Sequence, residues 1–186
     1  MDKKTLRKKY TALRENLSNA EIDEQSLAIA NNALQLPIWD KTNYHIFLPI
    51  EEKKEVNTAY LLHILQGRDK SVIVPKADFS TGEMIHYLLQ ENTVLKLSEY
   101  NIPEPVDGIK IAPEQLDVVF VPLLVFDENG YRVGYGKGFY DRFLAKCSKN
   151  CIMVGLSLFE AIAQIPYENL DIPVKYCITP QKTYSF

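Results

Sequence analysis

The chain has 186 residues, of which 46% are hydrophobic and 24% charged, so it is long and apolar enough to bury the core of a single domain over residues 1–186. A formal net charge of −3 excludes a general attraction to nucleic acid or to an anionic membrane, and any anion site must be local. Its three cysteines form no CxxC pair, the N-terminus lacks an apolar leader, and no apolar run reaches about 18 residues; we therefore expect a cytoplasmic protein without a disulfide framework.

Residues 3–17 carry a helical pattern with one apolar face, formed by Leu6, Tyr10, Leu13 and Leu17. Basic side chains occupy the other faces. Lys3 and Arg7 are four residues apart, so both side chains project from the same side of the helix and could bind one phosphate group. A solvated basic face is the ordinary explanation of such a charge run, and the spacing by itself favours that explanation.

Strands and helices alternate in the next part of the chain, which predicts parallel strands joined by crossover helices. The predicted elements are a helix from the Ser18–Glu21 capping box to about Leu36, a strand over Tyr44–Ile50, a helix from Thr58 to Gly67 and a strand over Ser71–Pro75. Residues 83–97 fit a pair of short strands or a strand and a turn. We expect an α/β fold with an open, mostly parallel sheet and helices on both faces, a Rossmann-like three-layer arrangement.

The most informative stretch is Leu116–Leu144. It begins with the continuous apolar run Val118–Val125, which predicts a central strand, and a turn signal follows at Asp127–Gly130. Three glycines in five positions, Gly134, Gly136 and Gly138, then lead into a helical pattern that starts at Phe139. A strand, a glycine loop and a helix in this order present backbone N–H groups to a phosphate.

Two common phosphate-binding patterns do not fit this loop. The P-loop requires a Ser or Thr where the chain has Gly138, and a glycine where it has Tyr131. The dinucleotide fingerprint requires a third glycine at the position of Phe139. Glycine spacing alone favours a simple tight turn as much as an anion site. Charged neighbours favour the anion site, because a turn needs no such cluster: Arg132, Lys137, Asp141 and Arg142.

Three further elements are predicted after this stretch: a strand over Cys151–Ser157, a short helical or irregular return over Phe159–Ile165, and a final strand over Val174–Thr179. The histidines His45, His63 and His86 lie on separate predicted elements without ligand spacing. We therefore expect structural roles for them.

The segment Phe126–Leu144, FDENGYRVGYGKGFYDRFL, resembles the signature of the 5-formyltetrahydrofolate cyclo-ligase family, whose members are also called 5,10-methenyltetrahydrofolate synthetases. A Phe-Asp, a Gly, an Arg and a Gly-x-Gly-x-Gly-aromatic-Tyr-Asp sequence occur there in the same order. Lys3-Lys4-Thr5-Leu6-Arg7 likewise resembles the opening, ATP-contacting segment of that family. The resemblance implies an enzyme that uses ATP and Mg²⁺ to convert 5-formyltetrahydrofolate to 5,10-methenyltetrahydrofolate, with release of ADP and phosphate.

The resemblance also implies roles for individual residues. The expected ATP contacts are Lys3, Lys4, Arg7, Arg132, Gly134, Tyr135, Gly136, Lys137, Gly138, Phe139 and Tyr140. The expected folate contacts are Leu48, Glu55, Tyr100, Tyr135, Lys137, Gly138 and Phe139. Arg132 and Lys137 are the expected catalytic residues, with Lys137 balancing charge on the transferring phosphoryl group. The carboxylates of Asp141 and Asp171 are the expected Mg²⁺ ligands.

At three places the chain departs from the pattern of the family or leaves more than one residue possible. The loop after the first strand is long, so Glu51 and Glu52 compete with Glu55 for the folate contact. A second pterin-side aromatic is expected after Pro75, where the chain has Lys76-Ala77-Asp78. A second acidic residue usual after Asp171 is replaced by Lys175.

The chain has no Ser-His-Asp or Cys-His set, which agrees with a reaction in which the substrate's own oxygen and nitrogen atoms make both attacks. Two other functions share the same features. A small-molecule kinase would use the same ATP site, and a nucleotide or sugar-phosphate sensing module would bind without turnover, although the paired aspartates disfavour a sensor. The resemblance implies a monomer, and the net charge of −3 leads us to expect neither a nucleic-acid nor a membrane partner.

Overall fold

Four α-helices and eleven strands form in the chain, which a computed structural model describes over residues 1–186. The helices are α1 (Lys3–Glu15), α2 (Asn19–Ala33), α3 (Ala59–Gly67) and α4 (Phe139–Leu144). The strands are β1 (Asn43–His45), β2 (Ser71–Asp78), β3 (Glu83–Leu88), β4 (Leu95–Leu97), β5 (Pro103–Pro105), β6 (Val118–Pro122), β7 (Val125–Phe126), β8 (Arg132–Val133), β9 (Ile152–Leu156), β10 (Tyr176–Ile178) and β11 (Thr183–Ser185). No helix combines the length and the apolar content that crossing a bilayer requires.

Seven strands form one sheet in the order β11-β10-β9-β6-β1-β2-β3. The five inner strands run parallel, and an antiparallel strand closes each edge. Strand β6 is fourth of seven, so the prediction that the Val118 run is a central strand is confirmed. The predicted α/β fold with a mostly parallel sheet is confirmed as well.

Alternate side chains of the inner strands enter two different cores, because successive residues of a strand face opposite sides of the sheet. Val118 and Phe120 join the core that α2 and α3 cover. Val119 and Val121 join the core that Phe143 of α4 covers. These two helical layers on either side of the sheet are the predicted three-layer arrangement.

Helix α1 lies apart from these layers, at the edge where the parallel strands end. Its Leu6 and Tyr10 pack with Leu124 and Val125, the residues that follow β6. The helix therefore holds the N-terminus of the chain against the carboxyl ends of the strands, where ligands of open α/β sheets bind.

The predicted apolar face of α1 is partly wrong. The buried residues are Leu6, Tyr10 and Arg14, whereas Leu13 is 39% exposed. Arg14 lies four residues after Tyr10 and on the same stripe, and its guanidinium has hydrogen-bond partners inside the protein. The helix also ends at Glu15, two residues earlier than predicted.

Two of the predicted strands are shorter than their apolar runs. Strand β1 pairs only over Asn43–His45, and the run Val118–Val125 is divided between β6 and β7. Beyond His45 and Pro122 the two segments leave the seven-stranded sheet and line a cavity with Phe47, Ile50 and Leu123, which are buried outside any strand.

The remaining predicted elements differ from the structure in detail. The Ser18–Glu21 capping box is present, but α2 ends at Ala33. Thr58 precedes α3 as predicted, although its hydroxyl donates to the carbonyl of Phe47 and does not cap the helix. Residues 83–97 contain two short strands, which pair with β2 and β5 and not with each other. The return over 159–165 is irregular, and β11 has no counterpart among the predicted elements.

Gly130 closes the turn between β7 and β8 in a conformation that other residues rarely adopt. Its φ is +82°, and a Cβ atom there would lie 2.7 Å from the carbonyl oxygen of Val174 and 2.9 Å from the ring of Phe186. Buried Asp127 fixes the same turn by accepting the N–H groups of Asn129 and Tyr131. The turn therefore requires glycine for both backbone and steric reasons.

We expect Gly130→Ala to lower the free energy of unfolding by about 2 kcal/mol or more, from backbone strain and overpacking together. Gly67→Ala is the matched control, since Gly67 lies in α3 and nothing is within 4 Å of the added methyl group. The control should leave stability unchanged or raise it by about 0.5–1 kcal/mol. Urea unfolding measures both, and equal stabilities of the two variants would contradict the assignment.

His45 of β1 and His86 of β3 form a buried pair beneath α4. The Nδ1 atom of His86 lies 3.1 Å from the Nε2 atom of His45, and the ring of Phe143 packs on both imidazoles. Burial lowers the pKa of His45 well below its usual value and that of His86 to about 4. Neither histidine lines the large cavity of the protein, and the pair is neutral near pH 7.

Acid should therefore weaken the fold through this pair. Above pH 6.5, the ordinary pKa of histidine, both imidazoles are neutral in the folded and in the unfolded protein. As the pH falls from 6.5 towards 4, the histidines of the unfolded protein are protonated first. Each buried histidine then removes about 1.4 kcal/mol of unfolding free energy per pH unit. His86→Asn should reduce this slope in urea unfolding measured at several pH values, while exposed His63→Asn should not. Identical slopes for the protein and the His86 variant would refute this account.

Candidate active site

A cavity of about 440 Å³ opens at the carboxyl ends of the parallel strands. The predicted site residues that line it are Lys3, Arg7, Leu48, Glu55, Tyr100, Arg132, Gly134, Tyr135, Gly136, Lys137, Gly138, Phe139, Tyr140, Asp141 and Asp171. Lys4 is the exception, because it is exposed and does not line the cavity. Its predicted ATP contact has no support from its position, since Lys4 follows Lys3 on the helix and projects from a different face.

The glycine loop, Gly134–Gly138, carries unused hydrogen-bond donors. The backbone N–H groups of all its residues donate to no atom of the protein. Two of its glycines have positive φ, +87° at Gly136 and +71° at Gly138. A series of adjacent free N–H groups in such a loop is a binding site for an anion. The loop itself must supply these donors, because the following α4 has only six residues and a correspondingly small dipole.

Two guanidinium groups enclose the loop, although the positive φ of Gly136 and Gly138 is what requires glycine there. A Cβ atom on Gly136 would lie 2.9 Å from the Cζ atom of Arg7, and one on Gly138 would lie 2.6 Å from the Nη1 atom of Arg142. Arg7 also donates from Nε to the carbonyl of Gly134 at 3.0 Å. The first helix therefore reaches the glycine loop directly, and the predicted juxtaposition of these two segments is present.

The two predicted metal ligands, Asp141 and Asp171, lie in one corner of the cavity. The Oδ1 atom of Asp141 accepts from Arg132 at 2.8 Å and from the N–H of Ile172, the neighbour of Asp171, at 3.1 Å. Asp171 pairs through Oδ2 with the ammonium of Lys3 at 2.5 Å. Burial by itself would raise the pKa of Asp171, but Lys3 and the Glu168 amide hold it below its usual value, so the carboxylate is ionised.

No third His, Cys, Asp or Glu side chain joins these aspartates in a metal-binding cluster, and Lys175 is exposed. Two carboxylates still fit Mg²⁺, because this ion commonly takes one or two protein carboxylates and completes its shell with phosphate oxygens and water. The two aspartates could hold such an ion together with a bound nucleotide.

Of the three candidate glutamates in the loop after β1, Glu55 is the one that lines the cavity. It is 7% exposed and lines the cavity, whereas Glu51 and Glu52 are exposed and do not. Its Oε2 atom accepts from the N–H of Ile50 at 2.7 Å, and its Oε1 atom accepts from the hydroxyl of Tyr135 at 2.9 Å. Burial raises the pKa of Glu55, although these two donors and the charge of Arg14 oppose the shift.

Arg14 is a residue that the sequence reasoning missed. It donates from Nη1 to the Tyr135 hydroxyl at 2.9 Å and from Nη2 to the carbonyl of Leu123 at 2.6 Å. Its position at helical spacing from Leu6 and Tyr10 was a usable signal. Basic residues are seldom buried unless paired, and the pairing partners lie more than a hundred residues away.

Three aromatic rings form another part of the cavity wall. The centroid of Phe79 lies 4.1 Å from that of Tyr100 and 5.1 Å from that of Phe139. Phe79 was also missed, because the aromatic was expected directly after Pro75, whereas β2 continues to Asp78 and delays it. Phe79 is 38% and Tyr100 49% exposed, so their faces are accessible to a flat ring.

The fold and the cavity define an α/β protein with a cleft whose wall contains a glycine loop with basic side chains and a cluster of aromatic rings. The model of the 5-formyltetrahydrofolate cyclo-ligase family matches residues 1–180, and the chain belongs to this family.

Individual relatives agree with this assignment. The chain is 30% identical over 177 residues to a 5-formyltetrahydrofolate cyclo-ligase of Haemophilus influenzae, covering 91% of this chain and 92% of the relative. It is 32% identical over 137 residues to that of Escherichia coli K12, covering 71% and 75%. Among solved structures, the 5,10-methenyltetrahydrofolate synthetase of Aquifex aeolicus is 32% identical and superimposes with a TM-score of 0.85, covering 100% of this chain and 93% of that one.

Proposed function

We propose that this protein converts 5-formyltetrahydrofolate to 5,10-methenyltetrahydrofolate at the expense of ATP, with release of ADP and phosphate. One observation carries the proposal beyond family membership. A loop of unused N–H donors and several basic side chains share a single cavity with an aromatic cluster and a buried carboxylate. A nucleotide's phosphates suit the first group, and a reduced pterin suits the second.

The chemistry explains why this site needs no protein nucleophile. The formyl oxygen is a poor leaving group, so it first attacks the γ-phosphorus of ATP, and ADP departs. N10 then attacks the activated formyl carbon and loses its proton, the five-membered ring closes, and the C–O bond breaks as phosphate leaves. The protein's task is to hold both substrates in line and to balance the charge that moves between them.

The basic residues would divide that task by position. Lys3, Arg7 and Arg132 would hold the triphosphate with the N–H groups of the glycine loop. Lys137 is exposed at the cavity and takes part in none of the protein's ion pairs. Its ammonium therefore has no competing carboxylate and would follow the transferring phosphoryl group.

Asp141 and Asp171 would bind Mg²⁺ together with phosphate oxygens of the nucleotide. The ion would neutralise charge on the phosphates when bound. In the protein alone, Arg132 and Lys3 neutralise the same two carboxylates. We expect these cations to shift towards the phosphates when the nucleotide and the ion are present.

The folate would occupy the aromatic part of the cavity. Phe79, Tyr100 and Phe139 would pack against its flat rings, with Leu48 completing the apolar wall. Glu55 would accept hydrogen bonds from N–H groups of the pterin.

The direct test is to incubate the purified protein with Mg²⁺, ATP and 5-formyltetrahydrofolate and to follow the methenyl product by its absorbance. We expect product only when all three are present. A phosphorylated product without ring closure would instead indicate a kinase, and nucleotide binding without any product would indicate a sensing module. Either result would overturn the proposal.

Variants of the proposed phosphate site should lose turnover without losing the fold. Lys137→Ala removes the unpaired ammonium, and Asp141→Asn removes a metal-binding charge while keeping an acceptor for the Ile172 N–H. Each should lower kcat by roughly 10²–10³-fold, the usual cost of removing one stabilising group at a developing charge. Exposed Lys149→Ala is the matched control and should keep full activity. Normal turnover in either site variant, with circular dichroism unchanged, would remove that residue from the site.

Three further features stay predictions of the sequence: one domain over residues 1–186, a monomeric state and a cytoplasmic location. Analytical ultracentrifugation tests the oligomeric state.

A further inference from the structure

The environment of Arg14 differs from that of the other basic residues of α1. It is 4% exposed, and its guanidinium lies between the residue that follows β6 and the glycine loop. Two of its nitrogens donate hydrogen bonds, while Nε is buried without a partner. Burying a charged group with an unused donor costs free energy, so ordinary packing does not explain an arginine here.

The hydroxyl of Tyr135 connects Arg14 to Glu55. It accepts from Nη1 of Arg14 and donates to Oε1 of Glu55, both at 2.9 Å. Burial and the charge of Glu55 raise the pKa of Tyr135, so the hydroxyl keeps its proton and acts as the donor to the carboxylate. The guanidinium and the carboxylate are consequently within about 6 Å of each other, the range in which opposite charges stabilise one another strongly.

We propose that Arg14, acting through the Tyr135 hydroxyl, is a positioning residue that favours the ionised form of Glu55 and orients its carboxylate to accept hydrogen bonds from the pterin. The inference rests on the proposed function, which places the pterin beside Glu55. It assigns the specificity of the folate site to three residues from α1, the glycine loop and the loop after β1.

The charges around Glu55 show why Arg14 is needed. Burial favours the protonated acid, and the groups that oppose burial are the Ile50 amide, Arg14, the Tyr135 hydroxyl and Lys53. Lys53 is exposed and lies over the Tyr135 ring at 4.2 Å, so solvent and salt screen it. Arg132 and the neutral Tyr140 border the cavity, and burial with the charge of Glu55 raises the pKa of Tyr140. Arg14 is therefore the buried cation that acts on the carboxylate.

The protonation state of Glu55 decides what it can bind. An ionised carboxylate accepts hydrogen bonds through both oxygens, whereas a protonated one must donate through one of them. Loss of the Arg14 charge would raise the pKa of Glu55 further and leave a larger protonated fraction at a given pH. Binding of the pterin should weaken in proportion, and should recover as the pH is raised.

The first experiment measures binding of 5-formyltetrahydrofolate without ATP, by titration calorimetry over a range of pH, for the protein, Arg14→Met and Arg14→Lys. Binding should weaken at acid pH as Glu55 is protonated. Arg14→Met should shift this weakening to higher pH by about one unit or more, the effect of losing a nearby opposite charge. Arg14→Lys keeps the charge but lacks the forked donors of the guanidinium. Its binding should therefore weaken at nearly the same pH as that of the unmodified protein, even if its affinity is lower at every pH. Equal weakening of both variants at every pH would indicate only a structural role and would overturn the inference.

A second measurement separates this inference from the proposed function. The Glu55 carboxyl signal, assigned by its loss in Glu55→Gln, can be titrated by ¹³C NMR in the protein and in Arg14→Met. A carboxyl pKa unchanged by Arg14→Met overturns the role of Arg14, whether or not methenyl product forms. Absence of product from the unmodified protein overturns the proposed function, whatever the titration shows. If Arg14→Met does not fold, Tyr135→Phe removes the connecting hydroxyl and should raise the Glu55 pKa in the same direction; an unchanged pKa there overturns the inference.

Discussion

The packing of α1 against the end of β6 is the contact on which the site depends. Leu6 and Tyr10 meet Leu124 and Val125 in a small core of their own, separate from the two cores beside the sheet. This apolar contact holds the basic first turn of α1 beside a loop that lies more than a hundred residues later in the chain. There Arg7 donates a hydrogen bond to the carbonyl of Gly134. The hydrophobic stripe of the helix places these cations at the loop, where the partly buried Lys3 and Arg7 then pair with Asp171 and with the carbonyl of Gly134.

Charge compensation within the cavity follows from that arrangement. Its lining contains the basic residues Lys3, Arg7, Lys53, Arg132 and Lys137 and the acidic residues Glu55, Glu104, Asp141 and Asp171. Asp141 and Asp171 are paired with cations, and Glu55 and Glu104 accept backbone N–H groups. A chain with net charge −3 can therefore offer a local anion site, because the glycine loop and Lys137 remain available while the acids are neutralised.

The differences between sequence expectation and structure have a common physical origin. Apolar runs predicted the strands, but β1 and β6 leave the sheet where the chain lines the cavity. A buried segment outside the sheet has the same apolar sequence as a buried strand, so the sequence does not show where these strands end. Phe79 was missed because strand length set its position, and Arg14 because its partners are distant in the chain. Lys4 was included because it lies in the Lys3–Arg7 segment that resembles the family's opening, although neighbours on a helix face different directions.

The sequence by itself determined the local features: the glycine loop, the capping box, the apolar face begun by Leu6 and Tyr10, and the order of strands and helices that requires a mostly parallel sheet. These depend on residue type and short spacing. Only the tertiary structure decided which charges meet. The Lys3–Asp171 pair, the enclosure of the glycine loop by Arg7 and the chain of hydrogen bonds from Arg14 to Glu55 join segments far apart in the chain. Their geometry comes from the packing of α1 on the sheet edge, which residue spacing does not encode.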